Sequence, residues 1–273
     1  MLLKNKSIMK FLTFISPLFT RRYLILEMAK REILSKHIGS FLGFAWTFIH
    51  PVSVIFIFWM VFGVGFKTKV EGDIPFSVWL VAGMCAWQFF SEIISDSAQC
   101  VISSAHLVKK TVFPSQVLPL VVIFKGMAAH LAFLLILLIF LSLNGMPFGL
   151  CYLQFFYYLF AASVLAMGVG WMAAGIAPFF RDLPQIVSVA MRTLFWFTPI
   201  VWNISIMPEK IKPFFYLNPV YYLVRGYRDS FITFVPFWAY PLDTAFYWAF
   251  ALSALCLGAF VFKRLQPHFP DVL

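Results

Sequence analysis

The chain has 273 residues, of which 62% are hydrophobic and only 12% are charged. Soluble domains contain about 25% charged residues, so this composition excludes an ordinary soluble enzyme and is typical of a membrane protein. The 21 Lys and Arg residues outnumber the 11 Asp and Glu residues, which gives a net charge of +10. Because the basic residues occur in short runs between apolar stretches, they indicate the cytoplasmic side of a bilayer rather than a nucleic-acid surface.

The first 40 residues are basic and cannot cross a membrane. Within them, residues 21–38 are predicted to form an amphipathic helix at the membrane interface. Glu27 precedes Arg31 by four residues, and Glu32 precedes Lys36 by the same distance, an order that stabilises a helix surface. The apolar face of this helix would contain Ile25, Leu26, Ala29 and Ile33. The alternative is a solvated basic tail.

Six apolar runs are long enough to cross a bilayer, at residues 41–65, 76–97, 117–142, 150–177, 185–203 and 242–262. An even number of spans places both termini on one side of the membrane. Lys and Arg are concentrated in the segments that a cytoplasmic N-terminus would place inside. We therefore predict an all-α integral membrane protein, with residues 1–273 forming a single transmembrane domain and both termini in the cytoplasm.

Residues 204–241 form an unusual external segment, which is broken by five prolines and yet rich in Phe and Tyr. It is too apolar for a free loop and too interrupted for a span. Re-entrant half-helices, surrounded by protein or by a water-filled cavity, fit this pattern. Its aromatic rings can either anchor the segment at the membrane interface or stack on the faces of sugars.

Few residues suggest chemistry. The chain contains no Gly-Lys dipeptide, so the phosphate-binding loop Gly-x4-Gly-Lys-Ser/Thr is absent, and its five histidines are scattered. Ionisable residues inside spans are candidates for function unless they extend to the membrane interface; here they are Glu92, Asp96, Lys125 and Arg192. The fourth span carries a face of small residues, which serves helix packing or a substrate path: Ala162, Ala166, Gly170 and Ala174.

Three groups of motifs follow one another along the chain. The first is Gly43-x-x-Trp46-x4-Pro51, and the second is His106-Leu-Val-Lys-Lys-Thr-Val-Phe-Pro114. The third consists of Phe180-Arg181-Asp182, then Phe197-Thr198-Pro199, then Leu217-Asn218-Pro219 with Arg225 and Arg228 after it. Together these motifs resemble the membrane-spanning permeases of type-2 ATP-binding-cassette polysaccharide exporters, which include the O-antigen, capsule and teichoic acid permeases.

The resemblance implies a homodimer with the channel between the two copies and with two separate ATPase subunits below. The N-terminal helix and the internal loop at 98–111 would dock on the ATPase. The docking residues expected on this basis are Glu27, Arg31, His106, Lys109, Lys110, Arg181 and Asp182. ATP and Mg would be bound by the partner, and this chain would hold no cofactor. The external segment would form gate helices at the exit.

Our hypothesis is a permease that exports a lipid-linked polysaccharide, expected to be O-antigen on undecaprenyl pyrophosphate, across the bacterial inner membrane. The anionic head group would meet basic residues at the cytoplasmic entrance: Arg22, Arg31, Lys36 and Lys109. The exit gate would contact the glycan through Tyr221, Tyr222, Arg225 and Tyr227. The alternatives are a capsule or teichoic acid permease, a membrane glycosyl- or acyltransferase, and a proton-coupled secondary transporter.

Overall fold

The computed structural model describes residues 14, 16–35, 41–68, 70, 74–110 and 113–273. Throughout these residues the regular structure is helical, as the composition predicts. The α-helices are α1 Arg22–Ser35, α2 Trp46–Phe58, α3 Phe76–Ser103, α4 Ala105–Lys110, α5 Leu118–Leu143, α6 Gln154–Ile176, α7 Leu183–Phe197, α8 Lys212–Tyr216, α9 Pro219–Arg228, α10 Pro241–Leu265 and α11 Phe269–Val272. Two π-helical turns, Trp59–Gly65 and Asp229–Thr233, extend α2 and α9.

Five helical segments among the described residues are long and apolar enough to cross a membrane. They are Gly43–Gly65, Phe76–Ser103, Ser115–Leu143, Leu150–Ile176 and Pro241–Val272. These segments correspond to five of the six predicted spans, and the chain is a multi-pass membrane protein. The run at 185–203 differs, because α7 has 15 residues and ends at Phe197. A helix of that length rises about 22 Å, less than the roughly 30 Å of a bilayer core.

Helix α3 lies at the centre of the bundle. All its residues from Val78 to Phe90 except Gln88 are buried, and the helix packs against α5, α6, α7 and α9. The first span is mostly exposed. Only 11% of the residues in its apolar stretch are buried, whereas 78% of those in α3 are. Its large apolar side chains therefore face lipid or another protein chain.

Helix α1 packs against the beginning of α5. Ile25 and Ala29 are buried in a small apolar cluster with Val117 and Val121. Leu26, which was predicted on the same apolar face, is 49% exposed and lies outside this cluster. The predicted helix is present at Arg22–Ser35, and it packs on the bundle rather than extending away as a solvated tail; the end of the predicted range, 36–38, lies outside the described residues.

The small face of α6 packs against neighbouring helices, which supports the packing interpretation. Its four predicted residues are buried, and a Cβ atom on Gly170 would lie 2.8 Å from the Ser97 hydroxyl oxygen of α3. A second close approach joins α6 to α10 through Gly168 and Gly258. A Cβ atom on Gly258 would overlap the Gly168 carbonyl oxygen, so these two backbones meet without a side chain between them.

We predict that Gly258→Ala lowers the stability of the protein, because the added methyl group forces α6 and α10 apart. Overpacking of this kind costs about 1–3 kcal/mol. The measurement is the apparent Tm of the detergent-solubilised protein. Gly65→Ala is the matched control, since a Cβ atom there would lie 3.5 Å from its nearest neighbour, an ordinary contact. Equal Tm values for the two variants would contradict the close approach.

Candidate functional site

A polar groove runs along one face of α3 between α2 and α7. Its volume is about 550 Å³, and it is open along one side. Its polar lining consists of Gln88, Ser91, Glu92, Ser95 and Asp96 from α3, with Ser188 and Arg192 from α7. The other walls include the rings of Phe58, Trp87, Phe195 and Trp196. Polar side chains within an apolar bundle are costly unless they face water or a polar ligand, so this groove is the candidate path for a hydrated substrate.

Three ionisable residues meet beside the groove. The Lys125 Nζ atom of α5 lies 2.6 Å from Asp96 Oδ2 of α3 and 3.4 Å from Glu32 Oε2 of α1. Lys125 is therefore paired with carboxylates and does not extend freely to water. The expected partner of Glu32 was Lys36, which lies outside the described residues.

A second cavity, of about 440 Å³, lies between the start of α2 and helices α3 and α5. Its lining includes His50, Gln88, Glu92 and Lys125, together with Phe44, Trp46 and Phe133. Glu92 and Gln88 line both this cavity and the groove, so the two spaces are neighbours along α3.

At the other end of α3, Arg228 is buried and bonded to backbone oxygens. Its guanidinium donates to the carbonyl oxygens of Pro199 and Ile200, both at 2.8 Å, and to that of Trp79 at 3.3 Å. It also lies over the Trp79 ring, 3.4 Å from the centroid. Sequence reasoning had placed Arg228 in a motif without assigning it a role.

The Thr-Pro and Asn-Pro motifs meet at this same place. Helix α7 ends at Phe197, immediately before Thr198-Pro199. The Asn218 side chain caps α9 by accepting a hydrogen bond from the Val220 amide at 3.0 Å, and its Nδ2 donates to Thr198 Oγ1 at 2.9 Å. The motifs that were far apart in the chain thus hold the end of α7 against the start of α9.

Arg225 is held by acidic and aromatic partners. Its Nη1 donates to Asp243 Oδ2 at 3.0 Å, its Nε lies 3.6 Å from Asp229 Oδ2, and its guanidinium lies over the Tyr240 ring. Burial raises the pKa of the Asp229 carboxyl, whereas Thr233, Arg225 and Arg228 oppose that shift. Arg225 also lines a cavity of about 290 Å³, whose lining includes Tyr216, Tyr221, Asn203, Ser205 and Asp229. We call it the outer cavity, because the predicted topology would place it outside.

The tyrosines expected at the exit have different surroundings. Tyr221 lines the outer cavity near Arg225, as its spacing of four residues predicts. The Tyr222 hydroxyl is bonded to the hydroxyls of Tyr157 at 3.0 Å and Thr244 at 3.1 Å, so it joins α9 to α6 and α10.

The structure contradicts a direct glycan contact by Tyr227. Its side chain is 0% exposed, and its hydroxyl bonds to His130 Nε2 of α5 at 2.9 Å. The other ring nitrogen of His130 lies 3.8 Å from Cys85 Sγ of α3. Sequence reasoning missed this buried contact, although a histidine within a span was a visible signal for it.

The residues expected to dock an ATPase lie at one end of the bundle. The C-terminal end of α3, the start of α5 and the C-terminal ends of α6 and α10 meet there, and Gln266 Nε2 donates to Gln116 Oε1 at 2.7 Å. Exposed side chains at this end are Arg22, Glu27, Arg31, His106, Lys109, Arg181 and Asp182. Lys110 is the last residue of α4. These positions leave the docking assignment a prediction.

Comparison with known proteins places the groove inside a recognised domain. The model of the family described as "ABC-2 type transporter" matches residues 23–232. The O-antigen export system permease protein RfbA of Klebsiella pneumoniae is 24% identical over 251 residues, which is 92% of this chain and 95% of that protein. The protein of the same name from Myxococcus xanthus is 28% identical over 224 residues, covering 80% and 83%. The match with the family includes α1, the groove and α9.

We predict that Arg228→Lys destabilises the protein, because a single ammonium group cannot reproduce the planar set of donors that reaches three carbonyl oxygens. Buried groups left without partners cost about 1–3 kcal/mol. The variant should therefore show a lower apparent Tm in detergent. The control is Arg192→Lys, because Arg192 is exposed and its guanidinium bonds to the Ser188 hydroxyl, at 3.4 Å, on the surface of α7. If the Tm of Arg228→Lys is as high as that of the control, Arg228 does not have this structural role.

Proposed function

Because the chain belongs to the ABC-2 type transporter family, we propose that it is the membrane-spanning subunit of an exporter that moves lipid-linked O-antigen polysaccharide across the bacterial inner membrane. The names of the Klebsiella and Myxococcus relatives support this substrate class. Undecaprenyl pyrophosphate is the expected lipid carrier. The chain is a transporter subunit and not itself an enzyme.

The polar groove along α3 is the observation that carries the proposal. A hydrated glycan needs a path lined by hydroxyl, amide and aromatic groups, and the groove supplies Ser91, Gln88 and Trp87 among others. Because the groove is open along one side, a second copy of the chain completes the channel. The largely unburied first span supports this homodimer, since its apolar surface requires lipid or protein to cover it.

The energy for export comes from two separate ATPase subunits that bind ATP and Mg. The sequence supports this division because it lacks the phosphate-binding loop. The exposed charged residues at the inner end of the bundle form the docking surface, with Arg31 on α1, Lys109 on α4 and Asp182 after α6. The positive charges of Arg22, Arg31 and Lys109 also suit the anionic head group as it approaches from the cytoplasm. Lys36, outside the described residues, belongs to the same proposal.

The sixth crossing is made by α7 together with the irregular residues that follow it. Both termini then lie in the cytoplasm, and 204–241 lies at the outer face as a re-entrant gate. The capping of α9 by Asn218 and the binding of backbone carbonyls by Arg228 support a broken segment at this depth, since its polar groups have protein partners. Tyr221 and Arg225, which line the outer cavity, are the proposed glycan contacts.

We predict that Ser91→Trp blocks export, because an indole at this position fills the groove. Export should fall by about tenfold or more, which corresponds to about 1.4 kcal/mol or more, while ATP hydrolysis by the partner continues. The measurement is surface O-antigen in cells that lack their own copy of the permease. Ser253→Trp is the matched control, because Ser253 is exposed on α10 away from the groove. Normal export by Ser91→Trp would show that the glycan takes another route.

We predict that Lys109→Glu weakens binding of the ATPase, because it reverses a charge on the proposed docking surface. The measurement is the amount of ATPase subunit that co-purifies with the tagged permease. Lys210→Glu makes the same charge change in an exposed residue of the outer segment and should leave co-purification unchanged. Equal losses in both variants, or none in either, would count against docking at α4.

A further inference from the structure

Lys125 connects a surface helix to the wall of the groove. Its ammonium group pairs with Glu32 on α1 and with Asp96 on α3, at 3.4 and 2.6 Å. Asp96 also lines the groove, and α1 carries exposed charged residues at the inner end of the bundle. Two ion pairs that share one lysine therefore link the proposed ATPase-docking helix to the proposed substrate path.

Helix α1 contacts the start of α5 along one row of side chains. Val121 and Lys125 are four residues apart on α5 and so lie on one face of that helix, and Val117 is the N-cap residue immediately before it. The two valines hold Ile25 and Ala29 of α1 through apolar contact. Lys125 pairs with Glu32, which lies further along α1. Unlike the two valines, Lys125 also contacts an acidic residue of α3, Asp96.

The ion pairs border a cavity, which leaves room for the distances between the charged groups to change. A cavity of about 380 Å³ is lined by Glu32, Ser35, Glu92, Asp96 and Lys125. The ammonium group is compact and sits on a flexible stem, so it can keep one carboxylate while its distance to the other changes. Carboxylates outnumber the lysine in this lining, and this charge balance opposes binding of an anionic head group.

We infer that Lys125 is a positioning residue that transmits displacement of α1 to the Asp96 wall of the groove. The inference rests on the proposed transport function. If the ATPase moves α1, Glu32 moves with it, and Lys125 shifts the charge environment and the position of Asp96. Loss of the lysine should then separate ATP hydrolysis from export without removing either the ATPase or the groove.

The test measures ATP hydrolysis and exported glycan with the same complex, the permease with its ATPase subunits in proteoliposomes. Lys125→Met keeps the length of the side chain and removes its charge. We expect hydrolysis close to that of the unchanged complex and about tenfold less glycan exported per ATP, within the usual range of coupling between sites. Lys125→Arg restores the charge and should recover most of this ratio.

Glu32→Gln provides a second variant that leaves the Lys125–Asp96 pair in place, so it remains informative if Lys125→Met fails to assemble. It should also lower the glycan exported per ATP. Glu209→Gln is its matched control, because Glu209 forms an ion pair with Lys212 at the outer face and is 86% exposed. The control should keep the normal ratio.

An unchanged ratio in Lys125→Met and Glu32→Gln would overturn the inference. A proportional fall of hydrolysis and export would also overturn it, because a purely structural role lowers both through loss of intact complex. Failure of the transport proposal itself gives a different result, namely no ATP-dependent export by the unchanged complex.

Discussion

Backbone groups inside a bilayer cannot bind water, so any break in a helix at that depth needs protein partners for its carbonyl oxygens. The break after α7 has protein partners in the side chains of Arg228 and Asn218. Arg228 donates to the carbonyl oxygens of Pro199 and Ile200, and Asn218 bonds to Thr198 beside them. The same guanidinium reaches the Trp79 carbonyl near the start of α3. Segment 204–241, the end of α7 and the central helix α3 are therefore held together by Arg228.

Helix α3 is therefore bound near each end by a positively charged side chain of another helix. Arg228 binds its backbone at Trp79, and Lys125 binds its side chain at Asp96. The residues from Val78 to Phe90 are buried except Gln88, and from Gln88 to Asp96 one side of α3 forms the polar wall of the groove. A shift of α3 would move that wall as a unit, since a continuous helix transmits displacement along its length. One continuous helix therefore joins the contacts of Arg228 to the ion pair of Lys125.

Within segment 204–241, some tyrosines of α9 are bonded inside the protein and one lines a cavity. Tyr222 and Tyr227 use their hydroxyl groups inside the protein, on Thr244 and His130 among others, and so fix α9 in place. Tyr221 and Arg225 border a cavity instead. Aromatic composition alone does not separate these roles, because both kinds of tyrosine occur within two turns of one helix. The distinction depends on whether a tyrosine of α9 points toward α5 or α6, as Tyr227 and Tyr222 do, or toward the cavity that Tyr221 lines.

Local properties of the sequence were sufficient to predict the all-α class, five of the spans and the N-terminal helix. They were also sufficient to single out the ionisable residues of α3 and α5 as candidates for function. Hydropathy and helical spacing depend on neighbours in the chain, so these features can be read without a partner. Hydropathy alone extended the run at 185–203 past the break at Thr198-Pro199, where α7 has already ended. Tertiary structure decided that Glu32, Asp96 and Lys125 meet, that Tyr227 is buried against His130, and that Arg228 binds backbone oxygens. Each of these contacts joins residues from separate helices, and the relative rotation of packed helices is set by the whole bundle rather than by any one of its segments.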